Sequence, residues 1–265
     1  MTIATAPHPT VGHLIRAWRQ RRHLTQLDLA SSSRVSTRHL SFVETGRAKP
    51  TREMILHLSE SLDVPLRQRN ELLLAGGFAP AYPEHRLSDA PMSAISDAVN
   101  RILDAHDPYP AVVVDRHWEL VAANRAAGIL MEDAAAHLLE PPANVLRLSL
   151  HPDGLAPRIV NLAAWRAHLL GRLERQAHST GDAVLSTLLD ELRELPGDDD
   201  GHQYRDALVV PMRCRVRGQE ISMFSTTTVF GTPLDVTVSE LAIETFYPTD
   251  EQSAAALRSW QEGQA

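Results

Sequence analysis

The chain has 265 residues, with 26 Lys and Arg against 33 Asp and Glu, a formal net charge of −7. Apolar residues make up 43% and charged residues 22%, as in ordinary globular domains, which excludes disorder or fibrous structure for most of the chain. The single cysteine, Cys214, excludes an intrachain disulfide framework and a cysteine-rich zinc site. No apolar run approaches the ~18–20 residues of a membrane span. The opening MTIATAPHPT lacks a basic region followed by an apolar stretch. A soluble cytoplasmic protein of one or two domains is expected, with no membrane partner.

Charge is divided along the chain. Residues 1–80 hold 11 basic and 6 acidic side chains, a balance of +5, and the remainder a balance of −12. That asymmetry is expected where only the first part meets a polyanion. Gly76-Gly77 and then three prolines mark residues 78–91 as a connector. The expected organisation is a disordered tail at 1–10, a first domain at 11–77, the linker at 78–91 and a second domain at 92–265. There are no internal repeats, and Gly197-Asp-Asp-Asp-Gly201 reads as a solvated loop.

Five short helices are expected in the first part. Leu14, Ile15 and Trp18 recur at helical spacing over about 11–22. Thr25 caps a second helix through Gln26, Leu29 and Ala30. Ser36 caps a third, which ends near a left-handed Gly46. A fourth follows Pro50-Thr51 with Met54, Ile55, Leu58 and Leu62 on one face, and Pro65 opens a fifth that runs to Gly76.

Helices two and three are separated by Ser33–Ser36, the spacing of a helix-turn-helix. On helix three, Leu40 and Val43 share a face with Ser36. Arg38, Ser41, Phe42 and Thr45 lie opposite, with Thr37 in the first turn. Such a face suits the major groove, where Arg38 pairs with guanine and Phe42 meets a thymine methyl. Candidate DNA contacts are Ser36, Thr37, Arg38, Ser41 and Phe42. Gln26 is assigned to a backbone phosphate, as are Arg47, Lys49 and Arg52 just past the helix.

Thr25-Gln26-x-x-Leu29-Ala30 followed by Val35-Ser36-x-x-x-Leu40-Ser41-x-Val43-Glu44-x-Gly46-Arg47-x-x-Pro50 resembles the Cro-like or XRE helix-turn-helix. The resemblance implies that Thr37, Arg38 and Phe42 face the bases. One departure is Arg34, where the family usually carries glycine at the inter-helix turn. A left-handed backbone there costs arginine about 1 kcal/mol.

The remaining residues read as mixed α/β, giving α+β overall: an all-α five-helix module followed by a PAS-like domain. A helix is expected over Met92–His106. Strands follow at Tyr109–Asp115 and Trp118–Ala122, then a short helix capped by Asn124. This strand–turn–strand–helix opening is PAS-like. Helices at about 156–177 and 181–195 precede three β-rich runs, Ala207–Arg217, Glu220–Phe230 and Asp235–Tyr247, and Asp250 caps a final helix. In the first run Met212, Cys214 and Val216 point inward. In the third, apolar parity switches between Val238 and Leu241, as at a bulge.

Pro108-Tyr-Pro-Ala-x-x-x-Asp-Arg-x-Trp-x-Leu-Val-Ala-Ala-Asn124, Asn144-Val-Leu-Arg147 and Phe230-Gly-Thr-Pro-Leu-Asp-Val236 resemble the MmyB-like regulators. The likeness covers roughly residues 11–262. It implies a one-component transcription factor whose PAS-like domain takes a fatty-acid-like or other lipophilic molecule. Candidate pocket residues are Val113, Leu120, Trp165 and Leu169, with Met212, Phe224, Phe230 and Leu241; each also reads as plain core. A ligand carboxylate is expected to meet an arginine such as Arg166 or Arg213.

No serine elbow, phosphate loop or dinucleotide fingerprint occurs, and no enzyme activity, cofactor or metal is expected. His151, His168 and His178 show no metal-ligand spacing with Cys or Glu, and Cys214 reads as a buried inert thiol. Three readings follow: a ligand-responsive regulator, a DNA-binding protein whose second domain only dimerises or recruits a protein, and an enzyme controlling its own operon. The first is preferred, acting as a homodimer on a double-stranded operator of paired half-sites.

Overall fold

The structure is a computed structural model that describes residues 9–197 and 208–262. Asp198, Asp199, Asp200 and Gly201 of the expected acidic loop lie outside the described residues, as does the start of the expected run at Ala207. The chain divides into two compact units, the first built on residues up to Glu84 and the second mainly on those from His85 onward.

The first unit is five helices: α1 (Val11–Arg21), α2 (Gln26–Ser32), α3 (Thr37–Glu44), α4 (Arg52–Ser61) and α5 (Leu66–Ala75). Their starts are set locally. Thr25 closes a capping box with Asp28, and the hydroxyls of Ser36 and Thr51 accept the amides of His39 and Met54. Ile15, Leu29, Leu40, Ile55, Leu58 and Leu72 are fully buried at the centre, each contributing roughly 1.5–3 kcal/mol of transfer free energy. Residues 78–84 pack back onto this unit. The Asn70 side chain binds the backbone of Ala81 and Tyr82, and Arg67 pairs with Glu84 at 2.7 Å.

Gly12 explains how closely α1 approaches α3. A Cβ there would lie 2.1 Å from the Val43 carbonyl oxygen, which the backbone cannot yield cheaply. Gly12→Ala is therefore expected to destabilise this unit by about 1–3 kcal/mol, despite alanine's better helix propensity. Urea unfolding followed by far-UV circular dichroism checks this; an unchanged or raised midpoint would show that the contact relaxes freely.

The second unit opens with α6 (Ser93–His106), β1 (Ala111–Val114) and β2 (Leu120–Ala123). Asn124 caps the turn that leads into α7 (Gly128–Met131), so the expected strand–turn–strand–helix opening is present. Two short helices follow, α8 (Ala136–Leu139) and α9 (Val145–Leu150), then the long α10 (Leu162–Thr180) and α11 (Ala183–Glu194). The chain closes through β3 (Met212–Val216), β4 (Gln219–Val229), α12 (Val236–Glu240), β5 (Ala242–Pro248) and α13 (Glu251–Glu262). The strands form one antiparallel sheet in the order β2-β1-β5-β4-β3, and the whole is α+β.

Met212, Cys214 and Val216 point inward as their alternation requires. The expected β run from Asp235 is corrected. Residues 236–240 are helical, started by Asp235 Oδ1 accepting the Val238 amide at 3.2 Å. The parity switch between Val238 and Leu241 thus marks a helix-to-strand boundary, not a bulge.

Candidate functional site

The first candidate site is the exposed side of α3. Leu40 and Val43 are buried, Thr37 and Arg38 are exposed, and Ser41 and Phe42 are partly exposed. The Arg38 guanidinium lies 5.5 Å from the Phe42 ring centroid, so each side chain holds the other on the same face. Ser36 spends its hydroxyl on the His39 amide. The turn before α3 keeps the left-handed backbone despite the departure from glycine: Arg34 has φ +54°, and the Val35 amide reaches back to the Ala30 carbonyl at 3.0 Å.

Arg47 and Lys49 are exposed past α3, and Arg52 is partly exposed in the first turn of α4. Among the described residues no carboxylate pairs with Arg38, Arg47, Lys49 or Arg52. The second unit is different: Arg147, Arg193, Arg213, Arg217 and Arg258 are each paired with a glutamate. Uncommitted cations on one face are what a polyanion neutralises without first breaking an ion pair.

Gln26 differs from its expected role in part. Its amide donates to Glu44 Oε2 at 2.8 Å, beneath the helix pair. Glu44 is buried and receives Arg19 through both nitrogens, Nε at 2.6 Å and Nη2 at 2.9 Å. Burial alone would raise the Glu44 carboxyl, but hydrogen bonds from Arg19 and Gln26 outweigh it and hold the group below its ordinary value. The bidentate pair ties α1 to α3 and fixes the angle at which α3 is presented.

The second candidate site is a cavity of about 80 Å³ in the second unit, between the sheet and the helices α7, α9 and α10. Of the candidate pocket residues, Trp165 and Leu169 of α10 and Met212 of β3 line it. The Trp165 indole donates to Ser149 Oγ of α9 at 3.0 Å and stacks on His168 at 5.5 Å. Burial, reinforced by Arg172 and Arg175, lowers the His168 pKa below its ordinary value.

Other expected pocket residues lie elsewhere. Val113 and Leu241 belong to a separate cluster under α6, against which Phe230 also packs. Phe224 stacks on Tyr247 with ring centroids 5.5 Å apart. Leu120 packs on the core that surrounds the cavity without lining it. Strand period explains the placements of Val113 and Phe224. Val112, Ser225, Glu244 and Phe246 face the cavity, and a step of one residue along a strand reverses the face.

The arginine at the cavity is Arg172, seven residues along α10 from Trp165, and neither Arg166 nor Arg213 lines it. Arg166 is buried and donates to the carbonyls of Leu192 and Arg193, closing the end of α11; Arg213 pairs with Glu220 on the sheet. Arg172 makes a two-point bridge to buried Glu244 at 2.6 and 3.1 Å and lies 4.5 Å from the Trp118 ring centroid. Trp118 itself adopts φ +66° and anchors its indole on Gln176. A lone charge, Glu244, inside the otherwise uncharged run Ala242–Phe246 was the available signal for this polar corner.

Cys214 is buried, and burial pushes its thiol up to about 12, which leaves no nucleophile there. No helix among the described residues is long and apolar enough to cross a membrane.

Residues 95–259 match the family model of the MmyB-like transcription regulator ligand binding domain, and residues 15–68 match a helix-turn-helix family model. No curated protein matches the chain. Among solved structures, the clp gene regulator ClgR from Corynebacterium glutamicum is similar at 23% identity, covering 38% of this chain and 99% of that chain with a TM-score of 0.23. An RNA-binding light-oxygen-voltage receptor is similar at 16% identity, covering 96% of this chain and 62% of that chain with a TM-score of 0.28. Scores at this level do not define a shared fold.

Proposed function

The chain belongs to the MmyB-like family of DNA-binding transcription regulators, and we propose that α3 reads operator bases while the cavity beside α10 takes a small lipophilic effector. The matched families are those of regulators and not of enzymes. The observation that carries the DNA assignment is the exposed Thr37–Arg38 turn flanked by cations without carboxylate partners. In this reading residues 11–77 are the DNA module and 92–265 the effector module, joined through 78–91. A homodimer binds two half-sites.

The effector assignment rests on the cavity's apolar lining, with Arg172 at its polar corner. A fatty-acid-like ligand suits both features, its carboxylate competing with Glu244 for the guanidinium. The cavity's 80 Å³ is well below the ~300–1,000 Å³ of established ligand sites, so a long acyl chain has to displace flexible walls such as Met131 and Met212. The same small volume favours the second reading, in which this unit only dimerises or recruits a protein. Titrating tryptophan fluorescence with saturated carboxylic acids of increasing length separates the two. A saturable response abolished by Leu169→Trp supports the effector, and no response at any length supports the alternative.

For DNA, fluorescence anisotropy on the duplex upstream of the protein's own gene should show Arg38→Ala losing about 1–3 kcal/mol of specific binding, roughly 5- to 150-fold, with little change in salt slope. Arg47→Ala should weaken all sequences alike and reduce the salt slope by about 1. Two chains per duplex are expected. If Arg38→Ala leaves the ratio of specific to unrelated binding intact, Arg38 is not a base reader.

A further inference from the structure

We propose that His137, His151 and Asp153 bind a divalent transition metal of the zinc class. His137 lies on α8, while His151 and Asp153 follow the end of α9. One ligand atom from each of the three lies within 4.8 Å of the other two. The two imidazole rings sit edge to face at 5.6 Å.

The local backbone holds these groups in place. The Asp153 amide donates to His151 Nδ1 at 3.0 Å, so that nitrogen presents a lone pair, and a metal takes it in exchange for the hydrogen bond. Asp153 Oδ2 lies 3.8 Å from the same nitrogen. The Asp153 carbonyl accepts the Ala135 amide just before α8, the Gly154 amide returns to the His151 carbonyl, and the Leu155 amide to that of Leu148. At Gly154 a Cβ would lie 2.2 Å from the Leu148 oxygen, so the loop is pressed against α9.

Two imidazoles and one carboxylate select zinc, cobalt, nickel or copper over magnesium and calcium, which require mainly oxygen ligands. His137 and Asp153 are exposed, which leaves the remaining coordination positions to water. The spacing of thirteen and one intervening residues matches no sequence motif; the fold makes the cluster. Leu148 and Leu155, on either side of the loop, line the cavity, so a bound ion braces α8 against the cavity wall.

The test is calorimetric titration of the untagged full chain with zinc chloride, paired with the visible absorption of the cobalt complex. One ion per chain is expected, with affinity falling at least about tenfold in both His137→Ala and His151→Ala and the cobalt bands lost. The metal-free unfolding midpoint of His137→Ala should match the parent, since the ring is exposed, and zinc should raise the midpoint only of the parent. Absence of binding overturns the proposal. Binding that survives both histidine substitutions also overturns it, because the ion then sits on other histidines.

Discussion

Replacing Arg19 with alanine should cost the helix-turn-helix unit about 3–5 kcal/mol, most of a small domain's stability, and abolish operator binding with it. The size comes from what is left behind. Glu44 is 1% exposed, and without Arg19 its charge stays buried with only the Gln26 amide to satisfy it. Arg19 also donates to the Leu24 carbonyl at 2.7 Å, which loses its partner too. Removing both charges is a different experiment: Arg19→Met with Glu44→Leu should recover much or all of the loss, because a buried pair repays little beyond its own desolvation.

Acid behaviour supplies a second test of the same pair. The folded carboxyl of Glu44 lies below its unfolded value of about 4.3. Its contribution is therefore fully present above that pH and is lost as pH falls through the folded value. The parent should lose stability on that acid limb, and the double variant should lack that component. Urea unfolding by far-UV circular dichroism at pH 7 and pH 3.5 measures both effects. A loss below 1 kcal/mol in Arg19→Ala, or a double variant no better than the single, would mean that water reaches Glu44 and that the pair does not set the packing of α1 on α3.

Signals carried by neighbouring residues were legible in the sequence. Thr25, Ser36, Asn124 and Asp250 all cap as expected, because a cap is a contact over three or four residues. Contacts between distant residues were not. Arg19 and Glu44 each look like one more charge on an amphipathic helix, and 25 residues separate them. β1 lies inside the sheet and all four of its residues are buried, so nothing in Ala-Val-Val-Val tells Val113 from Val112, although only Val112 faces the cavity. Helices of four and six residues, α8 and α9, are too short for apolar periodicity to register, and the histidine cluster they create was invisible with them.

Asn124→Ala should destabilise the second unit by roughly 2–4 kcal/mol, although the residue is far smaller than a core leucine. Its Oδ1 accepts the amides of Ala111 at 2.9 Å and Ala127 at 3.0 Å, and its Nδ2 donates to Asp107 Oδ1 and the Tyr109 carbonyl, both at 2.8 Å. One 6%-exposed side chain thus joins the end of α6, the start of β1 and the turn before α7, and truncation deprives all of these groups of their partner in a site where water has little access. Asn124→Asp separates shape from hydrogen bonding. It keeps the acceptor but replaces the donor with a carboxylate oxygen facing the Asp107 carboxylate and the Tyr109 carbonyl. Like charge and burial both raise the pKa of the introduced acid above its unfolded value of about 3.9. Its deficit should therefore be largest at pH 7 and shrink as pH falls, whereas that of Asn124→Ala should change little. Tryptophan fluorescence reports on this unit through Trp118, Trp165 and Trp260, three of the chain's four tryptophans. Equal losses for both variants at pH 7 and at pH 5 would show that neither the shape of the side chain nor its acceptor bonds to Ala111 and Ala127 count, and that the introduced acid is not raised by its surroundings.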